Sequence, residues 1–163
     1  MEGKARPEAS AEQALGAMDR LIALSLVGQH GIAQRLGLNV TDLTCLGHVL
    51  GAAGNGRPLT AGELAALADL TSGAVTGVLD RLERAGYARR EPDPTDRRRV
   101  RIVPEEAAVE RTAEVYGPFY EALSELFADY TPDEVAVLND WFARAAELMR
   151  ERLDELRSPG GSR

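Results

Sequence analysis

Residues 60–87, Thr60-Ala-Gly-Glu-Leu-Ala-Ala-Leu-Ala-Asp-Leu-Thr-Ser-Gly-Ala-Val-Thr-Gly-Val-Leu-Asp-Arg-Leu-Glu-Arg-Ala-Gly-Tyr87, decide the fold. Thr60 with Glu63 three residues on is a capping box, which predicts a short helix with Leu64, Leu67 and Ala68 turned inward. Thr71 or Ser72 opens the next helix, which runs to about residue 85 and is closed by Gly86. Two short helices joined tightly at 69–72 have the spacing of a helix-turn-helix that reads DNA. On the second helix Val75, Val78, Leu79 and Leu82 share one apolar arc. At about 100° per residue the opposite arc holds Gly73, Gly77, Asp80 and Arg84, with Thr76 and Arg81 at its margins. Near the start of this helix Ser72, Gly73, Thr76 and Gly77 make a small, polar face. Such a face can sit deep in a major groove, where a hydroxyl can bond a base edge or a phosphate. A plain surface helix of a bundle is the competing reading. Each exposed helical glycine costs about 1 kcal/mol against alanine, and a plain surface has no reason to carry two.

Outward from this motif, the periodicity changes. Residues 87–91 and 99–103 are short segments compatible with strands, and Pro92, Asp93, Pro94, Thr95 and Asp96 form a turn-rich connection, so the pair predicts a hairpin with a charged tip. Arg97, Arg98 and Arg99 follow at once. Asp96 can pair with a guanidinium there and stiffen the loop for entry of an arginine into a narrow minor groove. The competing reading is a solvated charge run. Two prolines and a helix-turn-helix directly upstream favour DNA contact.

Upstream, Ala14, Met18, Leu21, Ile22, Leu24, Leu26 and Val27 recur at helical spacing and predict a helix over 11–36, ended by Gly37, after a frayed start. Thr41 is the expected N-cap of a second helix containing Leu43, Leu46, Val49 and Leu50, with a break over 51–58 around Asn55-Gly56. Downstream, Pro104, Glu105 and Glu106 start a long helix that Gly117-Pro118 is expected to kink or interrupt. Thr131, Pro132 and Glu134 then form a second capping box. Beyond it Val135, Leu138, Phe142, Ala145, Met149, Leu153 and Leu156 make an apolar stripe. The Pro/Gly-rich tail at 158–163 reads as disordered. The expected fold is therefore mainly α with a small β-hairpin: a winged helix-turn-helix between long terminal helices. It reads as a single domain over 1–163, with helices at 11–36 and 105–157 and a DNA-reading lobe at 41–103. The stripes on the terminal helices exceed what a chain of 163 residues can cover alone, which implies a partner subunit.

Composition bounds the function. The apolar fraction of 44% suits a folded chain, and the longest near-apolar run, residues 21–27, is far below membrane-spanning length. No secretory apolar region follows the start, so a cytoplasmic protein without membrane contact is expected. A single cysteine makes neither an intrachain disulfide nor a cysteine-based zinc site. The net charge of −7 argues at first against an anionic partner, but residues 81–101 hold eight basic and four acidic residues. That local +4 leaves −11 for the rest of the chain, and an acidic body with one basic strip is the more informative pattern. Lys4 is the only lysine, so the positive charge is nearly all arginine.

The segments Leu59-Thr-Ala-Gly-Glu-Leu-Ala, Leu70-Thr-Ser-Gly-Ala-Val-Thr, Asp80-Arg-Leu-Glu-Arg-Ala-Gly-Tyr and Asp93-Pro-Thr-Asp-Arg-Arg-Arg-Val resemble the MarR family of bacterial transcription regulators. The resemblance covers about residues 41–103, and the terminal helices match in length and order. It implies a homodimer of winged helix-turn-helix subunits joined by their terminal helices. The recognition helices would enter successive major grooves of a pseudo-palindromic operator on double-stranded DNA, and the wings the flanking minor grooves. Residues 72–77 and Arg81 would then line the recognition helix. Asp96 and Arg98 match the family's Asp-x-Arg wing signature, with Arg98 as the minor-groove arginine. Two departures stand out. Gly77 occupies a position where many members carry arginine, which shifts weight to the wing. Val103-Pro104-Glu105 replaces the usual Leu-Thr, which predicts an early end to the second strand.

Other residues invite chemistry. Cys45 reads as a buried structural thiol rather than a redox sensor. Asp42, Cys45 and His48 lie one turn apart and could form one wall of an effector pocket or a zinc half-site, though such groups are more often cap and surface residues. His30 reads as exposed. Tyr116, Phe119, Tyr120, Trp141 and Phe142 read as dimer packing, and the resemblance implies that some, Tyr116 and Tyr120 among them, could line a site for a small aromatic or lipophilic effector. No metal or cofactor is expected. No glycine-rich phosphate loop, nucleophile elbow or histidine beside a nucleophilic hydroxyl is present, which argues against an enzyme. The leading expectation is an effector-responsive homodimeric repressor that switches by population shift. The alternative, motivated by the net charge and the missing long side chains at Gly73 and Gly77, is a winged-helix protein-interaction module without DNA binding.

Overall fold

The computed structural model describes residues 8–157, so the expectations for the first seven residues and for the tail at 158–163 lie outside the described residues. The described chain forms two compact units, Ala9–Pro118 and the residues from Phe119 onward.

In the first unit, α1 spans Ala11–Arg35. Ser10, expected to be frayed, instead closes a capping box: its hydroxyl accepts from the Gln13 amide at 3.2 Å and its own amide donates to Gln13 Oε1 at 2.8 Å. Gly37, at φ +68°, turns the chain out of α1 in the left-handed region that a side chain disfavours. The next helix, α2 (Val40–Gly54), starts earlier than expected, because its cap is Asn39 rather than Thr41. Asn39 Oδ1 accepts from the Asp42 amide and its Nδ2 donates to Asp42 Oδ2, both at 2.8 Å, so one side chain serves both a backbone donor and a carboxylate. At its other end α2 continues through Gly51, where a break was expected. Packing of the buried Leu46 and Val49 outweighs the roughly 1 kcal/mol helix penalty of one glycine, and the turn comes at Gly56, φ +70°.

A two-residue strand, β1 (Leu59–Thr60), precedes α3 (Ala61–Leu67), whose Thr60–Glu63 capping box is present. After Asp69, at φ +54°, comes α4 (Ser72–Arg84), capped by the Thr71 hydroxyl. The hairpin is β2 (Ala88–Pro92) and β3 (Val100–Pro104), and all three strands form an antiparallel sheet in the order β1-β3-β2. A two-residue strand carries no readable alternation, so β1 escaped the sequence; Leu59 and Thr60 align with Ile102 and Arg101. The second hairpin strand does not end early: Pro104 still aligns with Ala88, at the strand's last position, where a missing N–H is tolerated. The core joins Leu46 and Val49 of α2, Leu64 of α3, Val78, Leu79 and Leu82 of α4, and Ile102 of β3. Tyr87, also buried, donates its hydroxyl to the Leu36 carbonyl at 2.6 Å. The Arg111 guanidinium lies over its ring at 4.3 Å and donates to the Gly86 carbonyl at 2.7 Å.

The helix α5 (Glu106–Leu126) is not interrupted at Gly117-Pro118; the division between the two units falls directly after Pro118. In the second unit a 3-10 turn (Phe127–Asp129) leads to α6 (Pro132–Arg157), with the expected Thr131–Glu134 box at its start. Along α6, Phe142, Met149 and Leu153 stay exposed within the chain, as do Leu21, Leu24 and Val27 on α1. No helix among the described residues is long and apolar enough to cross a membrane.

Leu46 is fully enclosed. Leu46→Ala is expected to lower the unfolding free energy by about 2–5 kcal/mol in a urea titration, from lost burial plus the cavity left behind.

Candidate nucleic-acid interface

The small polar face on α4 is real. Val75, Val78, Leu79 and Leu82 are buried, whereas Ser72, Gly73 and Thr76 are exposed and Gly77 is half-buried. The Thr76 hydroxyl donates to the Ser72 carbonyl at 2.9 Å, which leaves its lone pairs outward. A side chain at Gly73 would meet nothing within 4 Å, and one at Gly77 would meet only Arg81 Nη1, at 3.5 Å. The fold itself therefore does not require either glycine, although each carries a helical cost.

Arg81 points elsewhere than expected. Its Nε and Nη2 donate to the two oxygens of Asp42 at 2.9 and 2.7 Å, a fork-to-fork pair between α4 and α2. Asp42 is buried, so its carboxylate faces Arg81 and Asn39 rather than a ligand. Cys45, one turn on, is buried too; burial, and after it the Asp42 charge, pushes its thiol up, with Arg81 opposing. Of the suggested effector wall only His48 is partly open. Tyr116 packs against the core of the first unit and Tyr120 belongs to the second. His30 is exposed, on α1.

The basic strip divides in two. At the root of the wing, Arg90 binds Glu83 through both its side chain and its backbone amide (2.8 Å) and reaches Asp80 at 2.9 Å, fastening β2 to two successive turns of α4. Arg101 pairs across the hairpin with Glu91, whose carboxyl it holds below the usual range, and Arg89 pairs with Glu105 at 3.0 Å. At the tip, Asp93 Oδ1 accepts from the Thr95 amide (2.7 Å), the Thr95 hydroxyl (2.6 Å) and the Asp96 amide (3.1 Å). These bonds, those from Thr95 foremost, hold the Asp93 carboxyl down at about 2. Asp96 stiffens the loop by another route than expected: it accepts from the Arg98 backbone amide at 3.0 Å, not from a guanidinium. Arg97 and Arg98 have no acidic partner among the described residues, and Arg99 approaches only Glu63, at 3.9 Å.

Residues 36–99 match the MarR family model. The uncharacterized HTH-type transcriptional regulator YcgE of Bacillus subtilis is 42% identical over 125 residues, covering 77% of this chain and 79% of its own. The chain belongs to the MarR family. The fold is shared with a MepR mutant from a multidrug-resistant S. aureus clinical isolate, at TM-score 0.67 and 18% identity over 83% of this chain and 96% of that one. Another S. aureus MepR mutant, bound to an oligodeoxyribonucleotide, aligns at TM-score 0.55 and 18% identity over 87% and 99%. As a MarR-family protein the chain is a winged-helix, DNA-binding transcription regulator and not an enzyme.

Sequence reading of this MarR-family chain missed the Asp42–Arg81 pair, the Tyr87–Leu36 bond and the Arg90 fastening, all of which join residues distant in the chain. The turn at the wing tip was legible in its proline- and aspartate-rich sequence, but the bonds that Asp93 accepts there were not read. Arg81→Ala leaves a buried carboxylate with only the Asn39 amide, so the Asp42→Ala/Arg81→Ala double variant is expected to melt above Arg81→Ala alone in thermal denaturation. Because the folded Asp93 value is depressed from 3.8 to about 2, its turn is fully formed above pH 3.8 and is lost as pH falls through 2; the Thr95 amide resonance should titrate with that midpoint.

Proposed function

We propose that the chain acts as a homodimer that represses transcription by binding a pseudo-palindromic operator, with α4 in the major groove and the wing in the flanking minor groove. The observation that carries this reading is the division of the arginines. Those at the wing root are neutralised by Glu83, Asp80, Glu91 and Glu105, whereas Arg97 and Arg98 at the tip have no acidic partner among the described residues. Cations held at the end of a stiffened loop suit phosphates and a narrow minor groove. Ser72, Gly73, Thr76 and Gly77 then approach base edges, Arg81 offers its remaining Nη1 to a phosphate, and Asp96 keeps Arg98 in place. The DNA-bound MepR neighbour fits this partner.

The apolar residues left exposed on α1, α5 and α6 support a second copy of the chain as the other partner, with helices at 11–36 and 105–157 as the dimer interface and 41–103 as the reading lobe. Small aromatic or lipophilic effectors, contacting Tyr116, Tyr120 or His48, would shift the balance between DNA-competent and incompetent dimers. On this reading the protein acts in the cytoplasm.

The test uses a duplex selected from random sequence by the wild-type protein. Its affinity is expected to fall steeply with salt in a gel shift. Arg98→Ala removes one arginine from each wing of the dimer and should lower the slope of log K against log salt by about 1.8 without changing dimerisation or melting. Affinity independent of salt, or selection that enriches no sequence, would favour a protein-interaction module instead.

A further inference from the structure

We propose that Arg57 is a phosphate contact of the DNA-binding face, holding a backbone phosphate together with Arg99 of the wing. The inference rests on the DNA-binding reading above and extends it to a segment outside both the recognition helix and the wing.

Arg57 lies in the turn between α2 and β1, its side chain 84% exposed, with Nη2 at 3.6 Å from Glu63 Oε1. Arg99 comes from the wing to 3.9 Å from the same oxygen, its side chain 55% exposed. Both distances exceed a hydrogen bond. The other Glu63 oxygen, Oε2, is committed to the α3 cap, accepting from the Thr60 amide at 2.7 Å and the Thr60 hydroxyl at 2.8 Å. Two guanidinium groups from separate segments thus converge on one oxygen of a carboxylate that cannot swing to meet either of them.

The charge there does not cancel, since two cations face one anion. The surplus positive charge adjoins the wing tip, where Arg97 and Arg98 also lack acidic partners among the described residues. Exposed ion pairs at these separations contribute little, so exchanging Glu63 for a phosphate oxygen costs little. Gain is larger on the other side, because a planar guanidinium matches a phosphate with two parallel hydrogen bonds and its binding releases a condensed counterion. Glu63, anchored by its cap, keeps both arginines gathered while DNA is absent. It also tempers their attraction, which sets the sign for a second variant.

On the selected duplex, Arg57→Ala removes one contact from each protomer and is expected to lower affinity about sixtyfold at 0.1 M salt and to reduce the salt slope by about 1.8, uniformly across operator sequences. Arg57→Lys should retain most of the slope, and Glu63→Gln, which preserves the capping box, should raise affinity. Melting of the Arg57 variants should match wild type, because Arg57 makes no buried contact. An unchanged slope in Arg57→Ala, on a duplex where Arg98→Ala lowers it, would overturn this inference and leave the DNA-binding reading intact. Salt-independent binding by the wild type would overturn both.

Discussion

A carboxylate withdrawn from water has to be paired and hydrogen-bonded, and that constraint organises the reading lobe. Asp42 sits at the start of α2 with its side chain in the core, and the cation comes from α4, the helix that would enter the groove. The apolar arc of α4 tolerates some rotation, since hydrophobic burial is non-directional. Two parallel hydrogen bonds to fixed oxygens do not. Asn39 locks the carboxylate, the carboxylate locks Arg81, and Arg81 fixes which side of α4 turns outward. The small residues at 72–77 face solvent for that reason as much as for their polarity.

A similar economy governs the wing. A hairpin bearing several arginines would repel itself and wander if all of them were free. Three are instead fastened to acids on α4, β2 and the segment before α5, so the root is held in place. The tip is ordered by backbone-directed carboxylates, Asp93 and Asp96, rather than by ion pairs. Its guanidinium groups remain available while its backbone is already in place, which reduces the ordering entropy that binding has to overcome.

The long helices follow a different logic. Their apolar stripes were plain in the sequence, and the structure leaves them exposed on both units. A stripe at helical spacing states that something must cover it, and symmetry makes a second copy the simplest cover.

What was legible in the residues is what depends on neighbours along the chain. Capping boxes at Thr60 and Thr131, the glycine turns at Gly37 and Gly86, the apolar arc of α4 and the proline-rich wing turn involve bonds spanning only a few residues, so local pattern sufficed. The basic strip was legible as a total but not in its parts. Sequence could count eight arginines between 81 and 101, yet which of them met an acid depended on the side chains that folding brings beside them. Arg81 finds Asp42 across 39 residues, and Tyr87 finds Leu36 across 51. Local periodicity determined the helices, the hairpin and their order; only the packed tertiary structure added β1 to the sheet and decided which charges cancel and which remain free, because pairing acts through distance in space rather than along the chain.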